Sequence, residues 1–310
     1  MADLKVFRVA GGRATEVRGE RMPLERHLQS LIETNMEEML GVRFLASEFP
    51  TGDAHGGRID TLGLDEAGSP VIVEYKRARD QNVMNQALFY LAWLLDHRGD
   101  FNLLVTEKLG PAVASSIDWT SPRMICVAGD FTRYDAHAVR CLGQAMDLVR
   151  YRLYRSYGDE LFTLDLVESS VGRPRPGKPR SRKHLSPVTD ASGTADEQAV
   201  THLTGASPEM CRLFGALDAA LLDLGEVHRE SLKTCLVYRA LRGFAWVRVQ
   251  KEALVVTLRV NPETVELVDG FTRDLRGLGH NGGGDLEVRI RSHSDISSAV
   301  VLFQQSFEAA

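Results

Sequence analysis

No stretch of this chain approaches the run of about 20 apolar residues that a membrane-crossing helix needs. The opening residues, Met1-Ala2-Asp3-Leu4-Lys5, lack the charge-then-apolar design of a secretory signal. A cytoplasmic location with no membrane partner is the expectation. Cysteines are few and scattered. Cys126, Cys141, Cys211 and Cys235 lack metal-ligand spacing and suit a reducing compartment as ordinary thiols. An excess of positive charge is missing as well: the formal net charge is −5. Any contact with nucleic acid must therefore come from local clusters. Internal repeats are absent. What is present, 44% hydrophobic and 25% charged residues over 310 positions, describes a globular protein of about two domains.

The most informative stretch is Gly57 to Lys76, which has the pattern of a β-hairpin. Val71, Ile72 and Val73 form a β-branched run, and Ile59, Leu62 and Leu64 supply its partner. Asp65-Glu66-Ala67-Gly68 has turn composition, followed by Pro70. Folding about that turn puts Asp60 opposite Glu74. Residues two apart on a strand share a face, so Glu74 and Lys76 point together while Tyr75 points away. Two carboxylates, with the backbone carbonyl of Tyr75, can hold Mg²⁺ or Mn²⁺. Lys76 can orient or deprotonate an attacking water. The neighbouring Lys76-Arg77-Ala78-Arg79 makes Arg77 and Arg79 candidate phosphate contacts.

The order Asp, turn, apolar strand, Glu-x-Lys and helix resembles the PD-(D/E)xK nuclease superfamily. It resembles most the branch of the NucS/EndoMS C-terminal domain, where G-R-x-D, a hairpin and E-x-K recur. Here those positions are Gly57, Arg58, Asp60, Glu74 and Lys76, with Ile59 where the motif proline would stand. On the following helix, Gln86 and Tyr90 lie one turn apart and resemble the RecB-type Q-x-x-x-Y signature. The resemblance implies an α/β, restriction-endonuclease-like core with a mixed sheet flanked by helices. It implies catalytic Asp60, Glu74, Lys76 and Gln86, with metal on Asp60, Glu74 and Tyr75. It also implies DNA as partner, with RNA left open, contacts through Arg58 and Tyr90, and a homodimer. In the family the first helix can contribute an acid, here Glu33.

The rest of the chain frames that core. Residues 3 to 18 predict a small hairpin about Gly11-Gly12. Pro23 to Leu40 predicts one helix closed by Gly41. Val42 to Phe49 predicts a strand beside the hairpin, which makes its Glu48 a candidate outer or second-metal ligand. A loop with Asp53 and His55 follows. Asp80 to His97 predicts a strong helix capped by Asp80. Phe101 to Thr106 and Met124 to Ala128 have the composition of buried strands. Arg123, in the turn before the second, is placed to reach phosphate. Asp135 to Tyr154 predicts a last helix ending in R-Y-R-L-Y-R, where Arg150 and Arg152 suit phosphate contact.

The nuclease-like domain is expected over 1–165 and a basic, proline-rich linker over 166–200, centred on Gly172 to His184. A small α+β domain over 201–310 completes the chain. Its expected elements are a Ser207-capped helix to Leu222, an ambiguous segment Glu230 to Leu241, and a hairpin of Phe244–Gln250 with Ala253–Val260. A strand Leu286–Ile290 and a helix Asp295–Phe307 close it. The loop holding Gly279, His280, Gly282, Gly284 and Asp285 suits close approach of another group, an anion among them. Its pattern resembles an uncharacterised domain appended to nucleases and restriction-type proteins. The function so implied is a metal-dependent DNA endonuclease of repair or defence. The alternative is a non-catalytic nucleic-acid-binding or interaction protein that keeps the fold.

Overall fold

The computed structural model describes residues 4–79, 82–170, 202–278 and 283–310. The chain divides into two compact units, one chiefly before Ser170 and the other chiefly from it onward. The expected linker centre and the loop residues Gly279, His280 and Gly282 lie outside the described residues, as does Asp80.

The first unit opens with β1 (Val6–Ala10) and β2 (Arg13–Val17), paired from Val6↔Val17 to Ala10↔Arg13. After β3 (Gly19–Glu20) come α1 (Glu25–Thr34) and α2 (Met36–Leu40). One helix was expected here. It breaks at Asn35, whose side chain donates to the Leu31 carbonyl at 2.8 Å, an asparagine competing with the helix ladder. Gly41 closes α2 in the left-handed conformation (φ 65°). Then follow β4 (Val42–Pro50), the short α3 (Gly52–His55), β5 (Arg58–Asp65) and β6 (Pro70–Lys76). The unit continues with α4 (Val83–Asp96), α5 (Arg98–Leu109), α6 (Pro111–Ser115), β7 (Arg123–Ala128), α7 (Arg133–Cys141), β8 (Ala145–Ser156) and β9 (Asp159–Ser169).

These strands form one mixed sheet in the order β3-β8-β7-β6-β5-β4, with β9 on β8. β6, β7 and β8 run parallel to one another, and the remaining neighbours are antiparallel. Helices flank it, with α1 and α4 both packed on β6. That central position explains the unbroken apolar run Val71-Ile72-Val73, each without exposed surface. Burying each such side chain stabilises the fold by about 1.5–3 kcal/mol.

Two sequence expectations fail here. Phe101 to Thr106 is not a strand but lies inside α5, burying Phe101, Leu104 and Val105 at helical spacing. A short apolar run carries no period of its own to separate the two. Asp135 to Tyr154 is not one helix: α7 ends at Cys141, and β8 takes over from Ala145. In β8, Val149, Tyr151 and Leu153 are buried while Arg150 and Arg152 are half-exposed, an alternation that belongs to a strand. Helix α4 starts at Val83 with Asn82 at its cap position. In addition, Leu166 to Ser169, the start of the expected linker, are strand.

The second unit is α+β. Its helix α8 (Pro208–Leu222) starts at Ser207, whose hydroxyl accepts from the Met210 N–H at 3.1 Å. The segment left ambiguous from Glu230 forms strands β10 (His228–Ser231) and β11 (Leu236–Arg239). β12 (Gly243–Val249), β13 (Leu254–Leu258), β14 (Thr272–Asp274) and β15 (Leu286–Ile290) follow, and α9 (His293–Glu308) closes the chain. The antiparallel sheet runs β10-β11-β12-β13-β15-β14. Leu217, Phe244, Val256, Val288 and Phe303 share its core with both helices. At Gly284 a Cβ would meet the Leu258 carbonyl of β13, so the backbone passes close to that strand.

Candidate active site

The hairpin register places the acids. Thr61 pairs with Val73, so Asp60 falls opposite Glu74 on the next strand. On the other side, Ser47 pairs with Thr61 and Phe49 with Ile59, so Glu48 falls opposite Asp60. The Asp60 N–H donates to Glu74 Oε1 at 3.3 Å, and the Tyr75 N–H donates to Asp60 Oδ2 at 3.0 Å. The two acids are thus tied to each other's strand through main-chain N–H groups. Glu74 is buried, with 1% of its surface exposed.

Burial, and then the neighbouring Asp60, pushes the Glu74 carboxyl up to about 9. Burial raises Asp60 too, against the hydrogen bond from Tyr75 and the charge of Lys76. Burial pulls Lys76 down, but Glu25 and then Asp60 outweigh it and hold the ammonium above the usual lysine range. Lys76 Nζ lies 3.2 Å from Glu25 Oε1, while Glu25 Oε2 accepts from the Arg77 N–H at 3.0 Å.

Helix α1 supplies the supporting polar groups. Gln29 Nε2 donates to the Asp60 carbonyl at 2.9 Å, to Ser47 Oγ at 3.1 Å and to Glu33 Oε1 at 3.1 Å. Thr61 Oγ1 donates to the same Glu33 oxygen at 2.5 Å. Glu33 is thereby committed to its neighbours. Glu25 and Gln29, one turn apart on the face turned to the hairpin, were missed from the sequence. Their signal is a polar row at i, i+4 and i+8 along Glu25, Gln29 and Glu33.

Glu48 stands apart from the acid pair, exposed and 3.4 Å from Arg58, though its charge still helps raise Asp60. Its backbone is left-handed (φ 51°), an uncommon conformation outside glycine and a small store of strain beside the acids. Tyr90 is largely buried on α4, its hydroxyl hydrogen-bonded to the Arg58 backbone. Gly57 makes room for it, since a Cβ there would meet that hydroxyl at 2.9 Å. Burial, and then Glu74, raises the Tyr90 phenol. Gln86 sits on the same helix, its amide oxygen buried and without a hydrogen-bond partner among the described residues. Among the described residues, no group of three or more His, Cys, Asp or Glu side chains is arranged to hold a metal.

The arginines separate into two sets. Arg123 cannot contact phosphate as the sequence suggested: it is 2% exposed and bound to Asp147 at 2.5 Å. As the first residue of β7 it is drawn into the sheet, where only a buried acid can satisfy it. Arg77 and Arg79 are surface residues, the first donating to the Pro23 carbonyl and the second to Asp130. Arg150 belongs to the site's own row. Lys76 pairs with Ala128 and Ala128 with Arg150, so all three face one side of the sheet. Arg150 reaches Asp165 at 2.6 Å, and Arg152 donates to the Gly129 carbonyl. Both line a cavity of about 760 Å³ with Lys5, Arg18 and Tyr154, against Glu16 and Asp165.

Residues 199–309 match a family model described as "Domain of unknown function (DUF5655)". A Haemophilus influenzae protein named "Uncharacterized protein" is 24% identical over 308 residues, covering 98% of this chain and all of that one. Among solved structures, a repair endonuclease from Pyrococcus abyssi aligns with 22% identity over 42% of this chain, at a TM-score of 0.29. A structure titled "EndoMS-dsDNA2 complex" aligns with 23% identity over 42% of this chain, at 0.25. The chain spans about half the length of those structures, 48% and 47%.

Proposed function

We propose that the first unit is a divalent-metal-dependent endonuclease that hydrolyses phosphodiester bonds in DNA. The observation that carries this reading is the pair Asp60 and Glu74: two desolvated acids on paired strands, joined by the Asp60 N–H on Glu74 Oε1, with the neighbouring ammonium drawn toward Glu25. One ammonium, itself shared with Glu25, does not offset two such acids, and a divalent cation fits there. Mg²⁺ or Mn²⁺ takes one or two carboxylates and fills the rest of its shell with water and substrate phosphate. Asp60, Glu74 and the Tyr75 carbonyl would hold it, and it would supply an acidified water and charge neutralisation.

The chain's own groups do the rest. The raised Lys76 stays an ammonium at neutral pH, so it donates hydrogen bonds to an attacking water or a phosphate oxygen and does not take the proton. Glu25 holds that ammonium in place and is a positioning residue. Gln29 fixes the Asp60 backbone and so the register of the acid pair. Arg150 and Arg152, on the Lys76 face, suit the phosphates of the strand leading away from the reacting bond.

The test is cleavage of supercoiled plasmid and of single-stranded oligonucleotides in Mg²⁺ or Mn²⁺, by wild type and by Lys76→Ala. Cleavage by the wild type alone supports the proposal. DNA binding without cleavage of any DNA or RNA would favour the non-catalytic reading.

A further inference from the structure

In β15, Leu286, Val288 and Ile290 point into the core shared with α8 and α9. Glu287 and Arg289 therefore project from the opposite face, and Arg291 follows them two residues on. The register Arg273↔Glu287 sets Arg273, on the edge strand β14, beside them. At this corner of the sheet lies a cavity of about 380 Å³, lined by Asp269, Gly270, Phe271, Thr272, Arg273, Arg289 and Arg291.

Three arginines line one small concavity, and the guanidinium groups of two are already oriented. Arg289 Nε lies 2.9 Å from Glu287 Oε1. Arg291 donates through its Nη1 to the Gly270 carbonyl at 2.5 Å. Gly270 is left-handed (φ 72°), and that turn is held by Phe271 N–H on the Val268 carbonyl and by Val268 N–H on the Thr272 hydroxyl. Arg273 is exposed, with no carboxylate partner among the described residues. Each arginine has five N–H donors, so the oriented pair keeps several for a ligand.

We propose that this corner binds a phosphate monoester carried by a molecule about the size of a single nucleotide. Guanidinium forks match phosphate oxygens in pairs, and a terminal phosphate offers three acceptors where a carboxylate offers two. Clustered arginines are a recurrent means of reading phosphate. Asp269 adds an acceptor for a hydroxyl or amine of the carrier. The volume lies at the small end of the ligand-pocket range, about 300–1,000 Å³, which suits a small molecule rather than a polymer. The proposal is independent of the hydrolytic one.

Isothermal titration of the full chain with inorganic phosphate, AMP and adenosine tests it, in wild type, Arg273→Ala and Asp60→Asn. Phosphate and AMP are expected to bind and adenosine not, with AMP weakened at least tenfold by Arg273→Ala and unchanged by Asp60→Asn. Arg291→Ala, checked for intact fold by circular dichroism, should weaken it likewise. No binding of phosphate or AMP to the wild type overturns the proposal. So does binding undiminished in both arginine variants, or equal competition by an oligonucleotide without a terminal phosphate.

Discussion

The main-chain N–H of Asp60 donates to the carboxylate of Glu74 on the neighbouring strand at 3.3 Å. One hydrogen bond thus ties the Glu74 side chain to the main chain of the strand that carries Asp60. Burying two acids side by side has a cost at neutral pH, because only one of them can ionise easily while water is excluded.

Glu74 carries that cost, and its sign is definite. Its folded-state value, about 9, stands above the ordinary 4.5, so the folded chain binds this proton more tightly than the unfolded chain. The stabilisation is fully present below about 4.5 and is lost as pH rises toward about 9. Glu74→Gln keeps an acceptor for the Asp60 N–H and removes the titration. We expect it to stabilise the metal-free protein at pH 7–9 by an amount on the order of a few kcal/mol, while abolishing cleavage. Urea unfolding at pH 5, 7 and 9 measures this: the difference between variant and wild type should grow with pH.

Glu25 is the largest influence raising Lys76. In Glu25→Gln the lysine should lose its proton at lower pH, and the basic limb of the pH–rate profile for DNA cleavage should move down with it. Lys76→Met should instead lower the rate by roughly a hundredfold or more at every pH. If the basic limb stays in place in Glu25→Gln, the ion pair does not govern the lysine.

Arg123 and Arg152 should part company in solution. Arg123 is buried against Asp147, which also accepts from Ser169 Oγ at 2.5 Å. Arg123→Met leaves that acid unpaired and should destabilise the fold by about 3–5 kcal/mol, seen as a lower urea midpoint. Arg152→Ala should leave stability nearly unchanged, weaken DNA binding without regard to sequence, and reduce the log–log salt slope by about 1.

The site was legible where one strand's pattern determined it. A four-residue turn between β-branched and apolar runs sets the register, and register alone puts Asp60 opposite Glu74 and turns Lys76 to the same side. The partners of those side chains were not legible. Glu25 and Gln29 look like the solvated face of an amphipathic helix until α1 is laid on β6. Arg123 looks like a turn cation until β7 is seen to begin with it. The longest misreading, helix carried through to Tyr154, arose because Ala145, Met146 and Val149 continue the helical spacing of Val139 and Leu142. The alternation Val149-Arg150-Tyr151-Arg152-Leu153 was the better guide, as β-branched and aromatic residues favour strand. Phe101 to Thr106 offered no comparable signal, and only its place in α5 decided the matter.

The central proposal is that Asp60 and Glu74 bind a divalent cation, and the most direct measurement is thermal unfolding against Mn²⁺ concentration. The wild type should gain stability as RT ln(1 + [Mn²⁺]/Kd), and Asp60→Asn and Glu74→Gln should gain nothing over the same range. A wild type whose unfolding temperature ignores Mn²⁺, or variants that respond as the wild type does, would contradict it.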